Sequence, residues 1–148
     1  MIAQVVLACM GLCTQAEAEA VVAGAVWWGA YHGVAPELIL AVGETESRFN
    51  PRATGKLKEW GVFQLMPGTP WSRRARKVCA RTPHRCIDAQ AEEAALLLAD
   101  GLKRCRRKHA ALRAYNERGG ACKAETSGYS RRVMRKYVLW QLIATEGD

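Results

Sequence analysis

Glu46 closes an otherwise apolar helical stripe formed by Ile39, Val42 and Gly43, whose three- and four-residue spacing puts all four on one face. A charge there is costly. Partial burial and the negative end of the helix near Arg48 both favour the protonated carboxyl at neutral pH, the state a general acid needs. The competing role for Glu46 is an ordinary surface pair with Arg48 or another cation. Glu44, two residues earlier, points to nearly the opposite side of the same helix, whereas Glu59 falls in a downstream loop and is the other carboxylate of chemical interest.

The elements that must position these groups are helical. Residues 14–32 (TQAEAEAVVAGAVWWGAYH) predict a largely apolar, buried helix stopped by Gly33. A second helix is predicted over residues 36–48, opening on Pro36 and ending before Asn50-Pro51, since the residue before a proline resists the helical conformation. Residues 51–87 are rich in Gly, Pro and basic side chains and read as a long folded loop with short helical turns. Asp88 is the expected N-cap of a third helix running to about residue 107, with Ala91, Ala95, Leu98, Leu102 and Cys105 as its buried stripe. Beyond the short apolar piece ALRAYN, Gly119 and Gly120 mark a break. Thr126 is then expected to cap a last helix carrying Tyr129, Val133, Tyr137 and Trp140 on one face. No strand alternation, internal repeat or interdomain linker interrupts this pattern, so the expected fold is mainly α and a single domain.

Size and composition agree: 148 residues and 16.3 kDa make one domain, and 49% hydrophobic with 24% charged residues is globular. The net charge of +8 is uneven, because residues 1–47 hold five glutamates and neither Lys nor Arg. The basic remainder suits an anionic partner. Nucleic acid, acidic lipid and a bacterial envelope all qualify by charge, but no nucleic-acid-binding signature is present. Gln4, Gln15, Glu17 and Glu19 break the only long apolar run, so no stable membrane span is expected. Residues 1–18 have two readings. Residues 2–13 resemble a signal-peptide core followed by small-x-small sites at 16–18 and 18–20; yet no Lys or Arg precedes them, and Thr14 with Glu17 could form a capping box opening a mature helix. Six cysteines suit an oxidising compartment. Loss of a signal peptide would remove Cys9 and Cys13, leaving Cys79, Cys86, Cys105 and Cys122 with three pairings, of which the local one joins Cys79 to Cys86 and Cys105 to Cys122. The histidines show no ligand spacing beside the cysteines, so no metal or cofactor is expected.

The run ELILAVGETESRFNPRATGKLKEWGVFQLMPGT resembles the soluble-type, or SLT-domain, lytic transglycosylases. Their motif joins a Glu-Ser pair (Glu46-Ser47), an Asn-Pro (Asn50-Pro51) and a Gly-Leu-Met-Gln-Leu-Met-Pro-type segment (residues 61–67). Ala114-Tyr115-Asn116 resembles the family's Ala-Tyr-Asn block, and ETSGYSRRV its closing Glu-Thr-x-x-Tyr-x-x-x-Val segment. The resemblance implies a lysozyme-like helical domain over residues 19–148, with a long active-site loop and a substrate groove. Glu46 would be its single catalytic acid and base, and Ser47, Gln64, Met66, Tyr115, Asn116 and Tyr129 its substrate-binding residues. Plainer roles compete at three of these: Gln64 can cap loop backbone groups, Met66 can be core, and Tyr129 lies on an apolar stripe. Three departures stand out. Phe63 replaces a common Met, Trp60 precedes Gly61 where a small residue is usual, and Glu117-Arg118-Gly119-Gly120 replaces Ala-Gly-Pro-Gly.

The implied substrate is the glycan strand of peptidoglycan. Cleavage between N-acetylmuramic acid and N-acetylglucosamine by one carboxyl would leave a 1,6-anhydro sugar, whereas a hydrolase normally uses two carboxyl groups. A hydrolase resembling goose-type lysozymes, with Glu59 assisting, is the nearest rival. A non-catalytic envelope-binding component of a virion or secretion machine is the other. The implied location is periplasmic or secreted, with a phage virion or secretion system as the larger assembly that would supply targeting.

Overall fold

In the computed structural model, residues 1–117 and 120–146 are described, and among them the chain forms seven α-helices and one 3-10 turn. α1 (Ile2–Cys9) lies against α2 (Gln15–His32) and buries Val5 and Cys9 completely. The capping box at the start of α2 is formed: Glu17 N donates to Thr14 Oγ1 at 3.2 Å and Thr14 N to Glu17 Oε2 at 2.8 Å. Gly33, with φ of 70°, stops α2 in the left-handed conformation. α3 (Pro36–Ser47) starts on its proline, and Leu38 to Gly43 are all buried.

The segment 51–87 departs from the expected loop. A helix of 12 residues, α4 (Pro70–Arg81), occupies its second half, and a 3-10 turn at Pro83–Arg85 follows. Trp71, Ala75, Val78 and Cys79 recur at three- and four-residue spacing along α4, but the stripe is short, only Ser72 and Ala75 are buried, and basic side chains fill the positions between. Its start is built from Thr69, whose hydroxyl accepts from Ser72 N at 3.2 Å, with Pro70 in the first helical position.

α5 (Cys86–Cys105) begins two residues before the expected cap, because Asp88 serves as an acceptor for Trp28 Nε1 at 2.8 Å from within the first turn. It ends at Cys105, and the piece ALRAYN belongs to a separate helix, α6 (Lys108–Asn116). α7 (Gly128–Glu146) is capped by Ser127 instead of Thr126: Ser130 N donates to Ser127 Oγ at 3.0 Å, and Ser127 N to Ser130 Oγ at 2.9 Å. Of the expected break at Gly119 and Gly120, Gly119 lies outside the described residues, as does Arg118.

α5 is the axis of the packing, flanked by α2, α4 and α6, while α7 closes over α3 and α6. Close approach of α2 requires Gly24, where an added Cβ would stand 2.7 Å from that of Ala91. Two disulfides, Cys79–Cys86 and Cys105–Cys122, with Cα atoms 4.3 and 5.2 Å apart, realise the local pairing, and Cys9 pairs with Cys13. The fold is mainly α; among the described residues, Trp60 makes isolated antiparallel bridges with Thr54 and Leu65 and no strand forms. Nor is any described helix long and apolar enough to cross a membrane.

Candidate active site

The end of α3 is fixed by its own backbone. Arg48 and Phe49 both adopt left-handed φ, 53° and 60°, and Phe49 N reaches back to Gly43 O at 3.3 Å, closing the last turn. That reversal drives Phe49 into the core, edge-on to Trp140 with centroids 5.9 Å apart. Glu46, one turn back and half-buried, is therefore held at a rigid helix terminus.

A second element holds the carboxylate itself. Tyr129, buried in the first turn of α7, donates its hydroxyl to Glu46 Oε1 at 2.7 Å. Burial, and after it the charge of Glu46, push the Tyr129 phenol well above its ordinary range, as they do that of Tyr115. Both phenols stay neutral donors near this carboxylate. The hydroxyl of Tyr115 donates to Phe63 O at 2.9 Å and so braces the 61–65 turn from α6.

That turn is tied down from every side. Ser47 Oγ donates to Val62 O at 2.7 Å and accepts from Asn50 N at 3.0 Å. Gln64, itself in the left-handed region with φ of 48°, donates Nε2 to Gly61 O at 3.0 Å and Ala53 O at 3.3 Å. Beneath it lies Gln90 of α5, fully buried, which accepts from Val62 N at 2.8 Å. Gly61, with φ of 78°, is demanded here twice over, since a Cβ would also come within 2.0 Å of Gln90 Oε1.

These elements border a cleft of about 320 Å³. Of the residues singled out from the sequence, Glu46, Gln64, Met66, Tyr115 and Asn116 line it together, and Glu59 does too. Ser47 and Tyr129 stand behind this lining as supports, through the hydrogen bonds just described. Glu59 folds over its own turn and accepts from Leu57 N at 2.8 Å. Glu44 faces α7, where it pairs with Lys136 and accepts from Trp140 Nε1 at 2.9 Å. The cleft also takes in Trp71 from α4 and a run along α5 comprising Leu96, Leu97, Asp100, Gly101 and Arg104.

Sequence reasoning missed Gln90 and the groove-lining part of α5. A polar residue on the buried stripe two places before Glu92 was the signal available for Gln90, because a buried amide needs partners.

The transglycosylase SLT domain family matches residues 27–138, and the chain belongs to it. The fold is similar to that of an inactive glutamate-to-glutamine mutant of the lytic transglycosylase Slt from Pseudomonas aeruginosa, with a TM-score of 0.66 and 22% identity, covering 83% of this chain and 24% of that one. This chain thus spans about a quarter of the length of that protein. No curated protein matches the sequence.

Proposed function

We propose that this chain is a peptidoglycan lytic transglycosylase acting on the bond between N-acetylmuramic acid and N-acetylglucosamine, with Glu46 as its single acid and base. The observation that carries the reading is Glu46 at the groove wall, its Oε1 accepting from the buried hydroxyl of Tyr129. Membership of the SLT domain family, and the fact that the similar Slt protein is inactive as a glutamate-to-glutamine mutant, both support it.

The chemistry needs one carboxyl. Glu46 gives its proton to the glycosidic oxygen as the bond to the anomeric carbon breaks, and N-acetylglucosamine leaves with a free hydroxyl. The carboxylate then takes the proton of the muramoyl 6-hydroxyl, whose oxygen bonds to the anomeric carbon. A 1,6-anhydro sugar results, the proton is back on Glu46, and no water is consumed. Tyr129 holds the Glu46 carboxyl in position at the groove wall, while Gln64, Met66, Tyr115 and Asn116 contact the saccharide. With both its donors given to loop carbonyls, Gln64 offers the groove a carbonyl oxygen.

Glu59, on the same cleft, is what favours the second reading, a lysozyme-like hydrolase. Mass spectrometry of muropeptides released from purified peptidoglycan separates the two. The transglycosylase yields 1,6-anhydro ends, about 18 Da lighter than reducing ends because water is not added. Glu59→Gln should then keep substantial activity. Reducing ends as the main product, together with an inactive Glu59→Gln protein, would establish the hydrolase. The wall substrate and the disulfides go with a periplasmic or secreted setting, and the basic surface with anionic wall polymers or a larger assembly that brings the enzyme to them.

A further inference from the structure

The chain has five tryptophans, and four of them have evident work or lie elsewhere. Trp28 donates to Asp88, Trp60 to Ser72 and Trp140 to Glu44, while Trp27 stands on α2 away from the cleft. Trp71 differs: it lines the same cleft as Glu46, is 39% exposed, and its indole N–H donates to no other described residue. It lies outside the sequence motifs that marked the site, four residues beyond Pro67.

Its setting is well determined. α4 and α5 form an antiparallel hairpin, closed by the Cys79–Cys86 disulfide and clamped by Arg74, which pairs with Glu92 at 2.7 Å and stands 3.5 Å from Glu93. In such a hairpin, the residue one turn before Arg74 lies beside those one turn after Glu93, which sets Trp71 against Leu96 and Leu97. All three line the cleft, and Thr69 and Pro70 fix the helix start from which the indole projects. A large aromatic face, an aliphatic floor beside it and an N–H with no acceptor among the described residues suit a pyranose ring, which presents an apolar face of C–H groups and a rim of hydroxyl and N-acetyl acceptors.

We infer that Trp71, with Leu96 and Leu97, is a saccharide-stacking platform that holds an N-acetylhexosamine ring of the strand in the groove. The inference rests on reading the groove as a glycan site. Trp71 acts by binding and not by proton transfer, so its loss should weaken the ground state and the transition state alike.

The test uses full-length protein carrying Glu46→Gln, titrated with N-acetylglucosamine oligomers by calorimetry. Trp71→Ala in that background should weaken binding about tenfold, equivalent to about 1.4 kcal/mol, and Trp71→Phe should restore most of it. Labelling with 5-fluorotryptophan gives a second readout: the fluorine resonance absent from the Trp71→Phe protein should be the one that shifts on titration. In the active protein, Trp71→Ala should raise KM with kcat little changed. Unchanged affinity in the Trp71→Ala protein, with its fluorine resonance unmoved in the parent, would overturn the platform while leaving the glycan site standing. A Glu46→Gln protein that binds no oligomer at all would overturn both.

Discussion

The hydroxyl of Tyr129 and the carboxylate of Glu46 meet at 2.7 Å although 83 residues separate them, joining the first turn of α7 to the last turn of α3. A hydrogen bond to a charged group in a partly buried place contributes about 1.5–3 kcal/mol to stability. Tyr129→Phe keeps the buried ring and removes only that bond, so the melting temperature should fall by several degrees, and in the folded enzyme kcat should fall about tenfold or more. A Tyr129→Phe enzyme with normal kcat would show that the carboxylate needs no such support.

Glu46→Gln should reduce lysis of purified walls by at least about a thousandfold, because the amide preserves shape but transfers no proton. Circular dichroism should be unchanged. Retention of near-native turnover would move the acid elsewhere in the groove.

Glu93 gives stability a pH dependence. It is 1% exposed on α5, its carboxylate oxygens lack hydrogen-bond partners among the described residues, and Arg74 stands 3.5 Å away. Burial raises its pKa from 4.5 to about 7, with Arg74 opposing and Glu92 adding to the rise. The folded protein therefore binds this proton more tightly than the unfolded chain. The stabilisation, at most about 3 kcal/mol, is full below the unfolded value and is lost as pH rises toward the folded one. Glu93→Gln should raise the unfolding midpoint at about pH 8, change it little at about pH 5, and flatten the slope between. Parallel stability curves for the two proteins would dismiss this role.

The Cys105–Cys122 disulfide links the end of α5 to the segment that Arg104 also contacts, through its donation to Gly120 O at 3.1 Å. Replacing both cysteines by serine should cost about 2–5 kcal/mol in denaturant unfolding. An unchanged midpoint, or free thiols at both positions in the oxidised protein, would contradict it.

Glu46 and most of the cleft lining around it were legible because chemistry and periodicity coincide there: Glu46 ends an apolar stripe, and the motifs around Gln64 and Tyr115 are contiguous. α4 was missed because its apolar stripe, Trp71, Ala75, Val78 and Cys79, is short and set among basic residues. Arg73, Arg74, Arg76, Lys77 and Arg81 give it a basic exterior, and its two buried positions are a serine and an alanine. Thr69-Pro70 was the readable sign of its start. Asp88 misled for a different reason. An acidic residue near a helix start can cap the backbone or serve a distant donor, and only the arrival of Trp28 from α2 decides between them. Trp71 and the groove face of α5 escaped notice because they join the cleft through the α4–α5 hairpin, a tertiary contact that no local pattern encodes.

Cys86 and Cys105 are the first and last residues of α5, and each is covalently joined to a different neighbour. Helices ordinarily fray from their ends, so slow-exchanging amides cluster at the middle and protection decays outward. With both ends anchored, α5 should lose that gradient. Its terminal turns should exchange deuterium almost as slowly as its centre, and reductant should restore the decay at each end separately. The side chains that α5 contributes to the cleft, Leu96, Leu97, Asp100, Gly101 and Arg104, inherit the same anchorage.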